Sequence, residues 1–166
     1  MNKDHLKDVR LNSDYKYQYM GDYYTWELPE GVSRRMLLAV GGGVLFEIIC
    51  GCIPNSGADG HPWVMIPFIV AMIMAVVLLW RTIQLYAFRK GMKEYQKKQI
   101  ENWFPAASFF LGIGSVAAAI AAMVSGGVAS MFPWCQFMAG AGGFSAYQLF
   151  KIITWKKVSS TSDENN

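Results

Sequence analysis

WVMIPFIVAMIMAVVLLW, at residues 63–80, is a block of eighteen residues without a charged side chain. At 1.5 Å per residue, a helix of this length covers about 27 Å, close to the roughly 30 Å hydrocarbon core of a bilayer. Comparable apolar blocks lie at residues 36–53, 104–124 and 132–150, and Glu47 is the only charged residue within them. We therefore predict four transmembrane helices, at about 33–53, 63–88, 104–125 and 132–155.

The composition supports this fold class. Of the 166 residues, 53% are hydrophobic and 16% are charged, whereas soluble proteins contain about 25% charged residues. A soluble helical bundle is the alternative, but four all-apolar helices in so short a chain would leave no polar face toward water. We expect a single all-α, multi-pass integral membrane domain.

The basic residues indicate the orientation. All fifteen lysines and arginines lie within residues 1–35, 81–103 and 151–157, while the loops at 54–62 and 125–131 contain none. Because basic residues are enriched in cytoplasmic loops, we predict that both termini and the middle connection are cytoplasmic, in the plasma membrane. Since topology and the lipid bilayer account for these charges, we expect no nucleic-acid partner.

Tryptophans lie close to the ends of the predicted helices. Aromatic rings of this kind are enriched where the bilayer meets water. We predict two interface anchors on the outer side and three on the inner side. They are Trp63, Trp134, Trp80, Trp103 and Trp155.

The N-terminal segment, residues 1–32, is rich in aromatic residues. Tyrosines alternate at positions 15, 17 and 19, and Tyr23, Tyr24 and Trp26 follow a Met-Gly-Asp turn. This period of two predicts a short β-hairpin on the cytoplasmic side, serving either as an interfacial anchor or as a partner-binding site. Residues 33–157 would form the helical domain with its basic connection 81–103, and the polar tail 158–166 is predicted to be disordered.

Small residues recur at i, i+4 spacing in three of the four predicted helices, which lets helix backbones approach closely in a membrane. The positions are Ala39, Gly43 and Gly51 in the first helix, Gly114, Ala118, Ala122 and Gly126 in the third, and Ala139, Gly142, Gly143 and Ala146 in the fourth. The second helix has no glycine. We therefore expect it to contribute bulk or to face lipid, and expect the tight contacts among the other three.

Glu47 is the best candidate for a functional residue. A charge inside a span costs at least about 2.5 kcal/mol, so its carboxyl should point into the bundle, where Gln136 and Ser115 are the best-placed hydrogen-bond partners. Two hypotheses remain open. Glu47 is either a neutral structural link between helices or a proton or cation site in a transport path.

The stretch GGGVLFEIICG, residues 41–51, resembles the first helix of the small multidrug resistance transporters. That resemblance implies a four-helix transporter in which Glu47 exchanges protons for cationic drugs. It covers eleven residues of the 166. Outside them the pattern departs, because those transporters begin almost at the first helix and have little charge bias between their two sides.

The cysteines and the remaining polar residues carry no recognised chemistry. Cys50, Cys52 and Cys135 lie near the outer end, where a bridge from Cys135 to either of the others is topologically possible, although small buried thiols are favoured. Cys-x-Cys without a nearby third ligand does not predict a metal site, and the chain lacks a phosphate-binding loop or a catalytic Ser-His-Asp grouping. We expect no metal and no cofactor.

The function predicted from these observations is non-enzymatic. We expect an accessory subunit or scaffold of a membrane complex, bound to another membrane protein or to a second copy of this chain. The alternative is a small proton- or cation-coupled transporter or channel that uses Glu47.

Overall fold

The structure is a computed structural model that describes residues 9–11, 17–19, 22–29, 31–53, 61–89, 91–126 and 130–158. Four helices dominate it: α1 (Val32–Cys52), α2 (Pro62–Ala87), α3 (Glu94–Val124) and α4 (Phe132–Phe150). Five short strands accompany them: β1 (Val9–Leu11), β2 (Tyr17–Tyr19), β3 (Tyr23–Glu27), β4 (Met92–Lys93) and β5 (Thr154–Val158). The tail predicted to be disordered lies outside the described residues except for Val158, which belongs to β5.

Three of the helices, α1, α2 and α3, are long and apolar enough to cross a membrane. The observed bounds of α1 and α2 agree to within one residue with the predicted helices at 33–53 and 63–88. Proline at the first position of α2, where no backbone N–H is needed, marks the start of that helix. The chain therefore has the helices expected of a multi-pass membrane protein.

Helix α3 begins at Glu94, ten residues before the predicted start at 104. Two ion pairs at i, i+4 spacing, Lys98 with Glu94 and Lys97 with Glu101, support this first part. The side chain of Gln96 also accepts a hydrogen bond from the backbone N–H of Lys93, at 3.0 Å. The basic connection is thus largely folded, and α3 extends over about 46 Å, beyond the thickness of a bilayer.

Helix α4 ends at Phe150 rather than at the predicted 155. The chain turns at 151–153 and continues as β5, whose Thr154, Trp155 and Val158 are residues that favour strands. Trp155 therefore lies in a strand, opposite Trp26, and not at a helix end.

A three-stranded antiparallel sheet has the order β4-β3-β5. Because β3 precedes α1, β4 lies between α2 and α3, and β5 follows α4, the sheet brings these three parts of the chain to one end of the bundle. We call this the sheet end.

The prediction that the two halves of the aromatic segment pair with each other as a hairpin was wrong. Both halves form strands, but β2 pairs with β1, as in Val9 opposite Tyr19, while β3 pairs with β4 and β5. Packing explains the choice for β3, because its Trp26 is only 2% exposed and lies against the end of α2.

The indole of Trp26 joins the sheet to the bundle. Its Nε1 donates to the carbonyl oxygen of Leu85 at 2.8 Å, in the last turn of α2, where carbonyls lack a helical donor. The ring meets Tyr86 edge-on at 5.2 Å, and the Tyr86 hydroxyl lies 2.8 Å from Ser33 Oγ in α1. The guanidinium of Arg89 lies over the Trp26 ring. These contacts hold the sheet against α1 and α2.

The four helices form a closed ring in which α1 contacts α2 and α4, and α3 contacts α2 and α4. The expectation that the tight contacts lie only among α1, α3 and α4 was wrong, because α2 packs closely against α3. Its Ala71 and Ala75 are buried at i, i+4 spacing, and a Cβ added to Gly114 of α3 would lie 3.1 Å from both Ala71 Cβ and Pro67 O. In α2, small alanine side chains allow a neighbouring helix to approach closely, as glycines do in the other helices.

Candidate functional site

Glu47 points from α1 into the bundle and is 1% exposed. Gln136 of α4 is 0% exposed, and its Nε2 donates a hydrogen bond to Glu47 Oε2 at 3.0 Å. The carboxyl therefore has a partner on a neighbouring helix, within the apolar part of the bundle. We call these two residues the Glu47–Gln136 pair.

Close backbone contact between α1 and α4 brings the pair together. A Cβ added to Gly142 would lie 2.7 Å from both Ala39 O and Gly43 Cα, and one added to Gly43 would lie 3.4 Å from Ala139 O. Gly43 is one helical turn from Glu47, so the two helices are already in contact beside the pair.

The next residue of α4, Gly143, approaches α3 in the same way. A Cβ there would lie 2.8 Å from both Ser108 O and Gly112 N. Successive helix residues point about 100° apart. Gly142 therefore faces α1 while Gly143 faces α3, and α4 packs closely against both helices. Gly112 and Gly140 join this contact and were missed in the sequence, although Gly140 lies three residues before Gly143 and thus on the same face.

Ser115 lies in α3, 0% exposed, next to the turn of α4 that follows Gln136. A Cβ added to Gly140 would lie 3.6 Å from Ser115 Cβ, and Gly140 is four residues from Gln136. Within the described part of the chain, Ser115 Oγ has no hydrogen-bond partner. The structure thus places the serine near the pair without bonding it to either member.

Three buried oxygens in this region have no hydrogen-bond partner among the described residues: Glu47 Oε1, Gln136 Oε1 and Ser115 Oγ. Such atoms are uncommon in proteins. Gln136 Oε1 is an acceptor only, whereas Glu47 Oε1 becomes a donor when the carboxyl carries a proton. An acid–amide pair with two reciprocal hydrogen bonds would give both oxygens a partner.

The cysteines lie on the side of the pair that is away from the sheet end. Cys50, one turn from Glu47, and Cys135, next to Gln136, are buried, while Cys52 is exposed. The Cys50 thiol is oriented toward Phe132 O at 3.8 Å. All three are free thiols, and the two buried ones pack as small side chains.

The other predicted packing residues occupy different environments. Gly51 is nearest to Met72 and Phe68 of α2. Gly126 follows α3 with a φ of 87°, and a Cβ there would have nothing within 4 Å in the described structure. It ends the helix in the left-handed conformation instead of packing against a neighbour. Ala118, Ala122, Ala139 and Ala146 are buried, and Ala39 is half-buried.

Four of the five predicted anchor tryptophans are exposed on the helices. They are Trp63, Trp80, Trp103 and Trp134, and each is at least half exposed. The indole of Trp63 donates to Ser125 Oγ at 2.9 Å, which joins the start of α2 to the end of α3. Trp155 is half-buried in the sheet, where the ammonium of Lys97 lies over its ring.

No protein-family model, no curated protein and no solved structure matches this chain. Across the described ranges, no three His, Cys, Asp or Glu side chains are grouped so that they could hold a metal ion. The Glu47–Gln136 pair is therefore the candidate site on which functional arguments rest.

Substitutions of Glu47 should separate its hydrogen bonding from its charge. We expect E47Q to keep the wild-type thermal midpoint in detergent, because two amides can form two reciprocal hydrogen bonds. We expect E47L to lower stability by about 1 kcal/mol, since Gln136 Nε2 loses its acceptor in an apolar setting. Equal destabilisation by both variants would contradict a neutral pair. Leu45, exposed on the same helix, provides the control L45A.

Proposed function

We propose that this chain is a non-enzymatic integral protein of the plasma membrane that serves as an accessory subunit or scaffold of a membrane complex. The Glu47–Gln136 pair carries this proposal. Its two side chains are almost completely buried, bonded to each other and bordered by close backbone contacts between helices. This arrangement is typical of a polar link between helices, which stabilises their association.

The proposed topology has four spans, with α4 as the fourth. Its nineteen residues cover about 28 Å and carry no charge. Pairing of β5, which follows α4, with β3, which precedes α1, supports an α4 that returns to the end where α1 began.

The sheet end is proposed to be cytoplasmic. Apart from Arg10 of β1, the described basic residues lie there, in the first turn of α1, around the connection of α2 and α3, and after α4. Cytoplasmic enrichment of Lys and Arg supports both termini inside.

Native Cys52 offers a direct test of this topology, because it is the exposed cysteine and lies at the opposite end from the sheet. A membrane-impermeant maleimide added to intact cells should label the wild type and not C52S. In the C52S background, a cysteine introduced by K156C should react only after permeabilisation. The reverse order of labelling would contradict the orientation, and labelling of both from outside would contradict the fourth span.

The sheet is the proposed surface for a partner, either another membrane protein or a second copy. Lys156 pairs with Glu27 and Lys157 with Asp22, on opposite faces of the sheet because consecutive strand residues alternate. The ammonium of Lys97 lies 4.3 Å from the Tyr24 ring centroid. Aromatic side chains are enriched at protein interfaces and at the membrane interface, and lysines near the inner surface attract anionic lipid.

Purification in mild detergent tests the assembly. We expect a stoichiometric complex or homo-oligomer that persists in E47Q. A bare monomer recovered from its native membrane under conditions that keep other complexes intact would contradict the scaffold proposal.

A proton- or cation-coupled transporter is the second candidate. The observation that favours it is a set of three buried oxygens, at Glu47, Gln136 and Ser115, that have no hydrogen-bond partner among the residues the structure describes. Oxygen acceptors of this kind hold protons or cations inside membranes. The local resemblance of residues 41–51 to the small multidrug resistance transporters agrees with this candidate.

Reconstitution distinguishes the two candidates. Liposomes that contain wild-type protein, E47Q or no protein would be loaded with a pH-sensitive dye and given a proton gradient, with and without a cationic drug outside. For a scaffold we expect the same proton flux in all three. Flux in the wild type alone, with E47Q still folded, would support the transporter and overturn the scaffold.

A further inference from the structure

An open groove of about 560 Å³ lies between α1 and α4 on the sheet side of their closest contact. The lining residues are Arg35, Leu38 and Ala39 of α1 with Phe144, Ser145, Gln148 and Leu149 of α4. The helices touch at Gly142, and the groove begins beside this contact at Ala39. It opens toward the surroundings of the bundle.

The groove is polar at one end and apolar along its walls. Arg35 lies in the first turn of α1, at the sheet end, whereas Leu38, Phe144 and Leu149 supply apolar surface. Leu38 is 75% exposed, so this surface is not part of the bundle core. A ligand that fits would need an anionic group joined to an apolar chain.

Arg35 is available for such a ligand. The ion pairs within the described residues join Lys97, Lys98, Lys156 and Lys157 to carboxylates, and none of them includes Arg35. A guanidinium binds phosphate through two parallel hydrogen bonds, and Ser145 and Gln148 place further polar groups on the facing helix.

We propose that this groove binds one anionic phospholipid of the cytoplasmic leaflet, with its phosphate at Arg35 and an acyl chain against Leu38, Phe144 and Leu149. The choice of leaflet rests on the orientation proposed above, which puts the sheet end in the cytoplasm. Anionic lipids are concentrated in that leaflet, and the volume of the groove falls within the roughly 300–1,000 Å³ of small-molecule sites.

Arg34 provides a matched control. It has the same charge, lies at the same depth and is exposed, but it does not line the groove because consecutive helix residues point about 100° apart. A general attraction of anionic lipid to basic residues would affect both arginines alike. Binding at a specific site in the groove would depend on Arg35 and not on Arg34.

Native mass spectrometry of the purified full chain in detergent can measure this dependence. Phosphatidylglycerol would be titrated against phosphatidylcholine with identical acyl chains. We expect R35Q to bind phosphatidylglycerol about tenfold more weakly than the wild type, as for loss of one charge-assisted hydrogen bond, and R34Q to stay within about twofold. We expect S145F, which fills the groove without changing charge, to weaken binding as well.

Three outcomes would overturn the proposal: equal loss in R34Q and R35Q, no preference over phosphatidylcholine, or full displacement of the lipid by inorganic phosphate. Selective binding through Arg35 would support the site independently of topology, because it is measured in detergent. If Cys52 labelling then contradicted the orientation, the lipid site would stand and only its leaflet would be reassigned.

Discussion

Replacement of Gly142 by leucine is expected to abolish the folded bundle. Even a Cβ at this position would lie 2.7 Å from the backbone of α1, at Ala39 O and Gly43 Cα, so α1 and α4 would have to separate. Separation would also break the hydrogen bond between Gln136 and Glu47 one to two turns away. We expect G142A to lose about 1–3 kcal/mol, a typical overpacking cost, and G142L to yield little monodisperse protein.

Gly41 is the control for this substitution. It lies in α1, and a Cβ there would have no described atom within 4 Å outside its own helix turn. Both glycine replacements gain helix propensity equally, so the difference between them reports packing. Recovery from size-exclusion chromatography and the thermal midpoint in one detergent are the measurements. Similar losses in G41L and G142L would contradict the close contact of α1 with α4.

Replacement of Trp26 by alanine is expected to release the sheet from the helices. The side chain is 2% exposed, and its loss removes a large buried ring together with the hydrogen bond to Leu85 O. Truncation of a buried tryptophan costs about 3–5 kcal/mol. We expect faster tryptic cleavage near Arg89 and Lys157, measured on protein in detergent, together with a lower thermal midpoint.

Two further variants serve as controls for W26A. W26F keeps an aromatic ring and loses only the indole donor, so we expect a smaller loss of about 1 kcal/mol. W80A removes an indole that is 56% exposed on α2 and should leave cleavage at the sheet unchanged. If W26A were cleaved no faster than W80A, the anchoring of the sheet through Trp26 would be wrong.

The helices α1 and α2 could be predicted closely because their apolar blocks have clear ends. The burial of Glu47 was equally accessible, since a lone carboxyl in an apolar block has few favourable places other than the bundle interior. Gln136 was identified because few hydrogen-bonding side chains lie within the facing blocks. In each case a local pattern contained the necessary information.

The features that escaped prediction depend on distant parts of the chain. The start of α3 at Glu94 was missed because its first ten residues resemble a charged loop until the i, i+4 ion pairs are recognised. The partners of β3 are distant in the sequence, since β4 lies between α2 and α3 and β5 follows α4. Period-two alternation identifies a strand but not its partner. The burial of Ala71 and Ala75 was missed because only glycine was considered in α2.

The pairing of β3 with β5 bears on how the protein is made. Trp26 is synthesised before the four helices and its cross-strand neighbour Trp155 after them, so the edge of β3 that pairs with β5 stays open while the helices are made. Only a chain whose α4 ends at the sheet end of the bundle can close that edge. The sheet thus ties completion of the sheet end to the correct placement of α4.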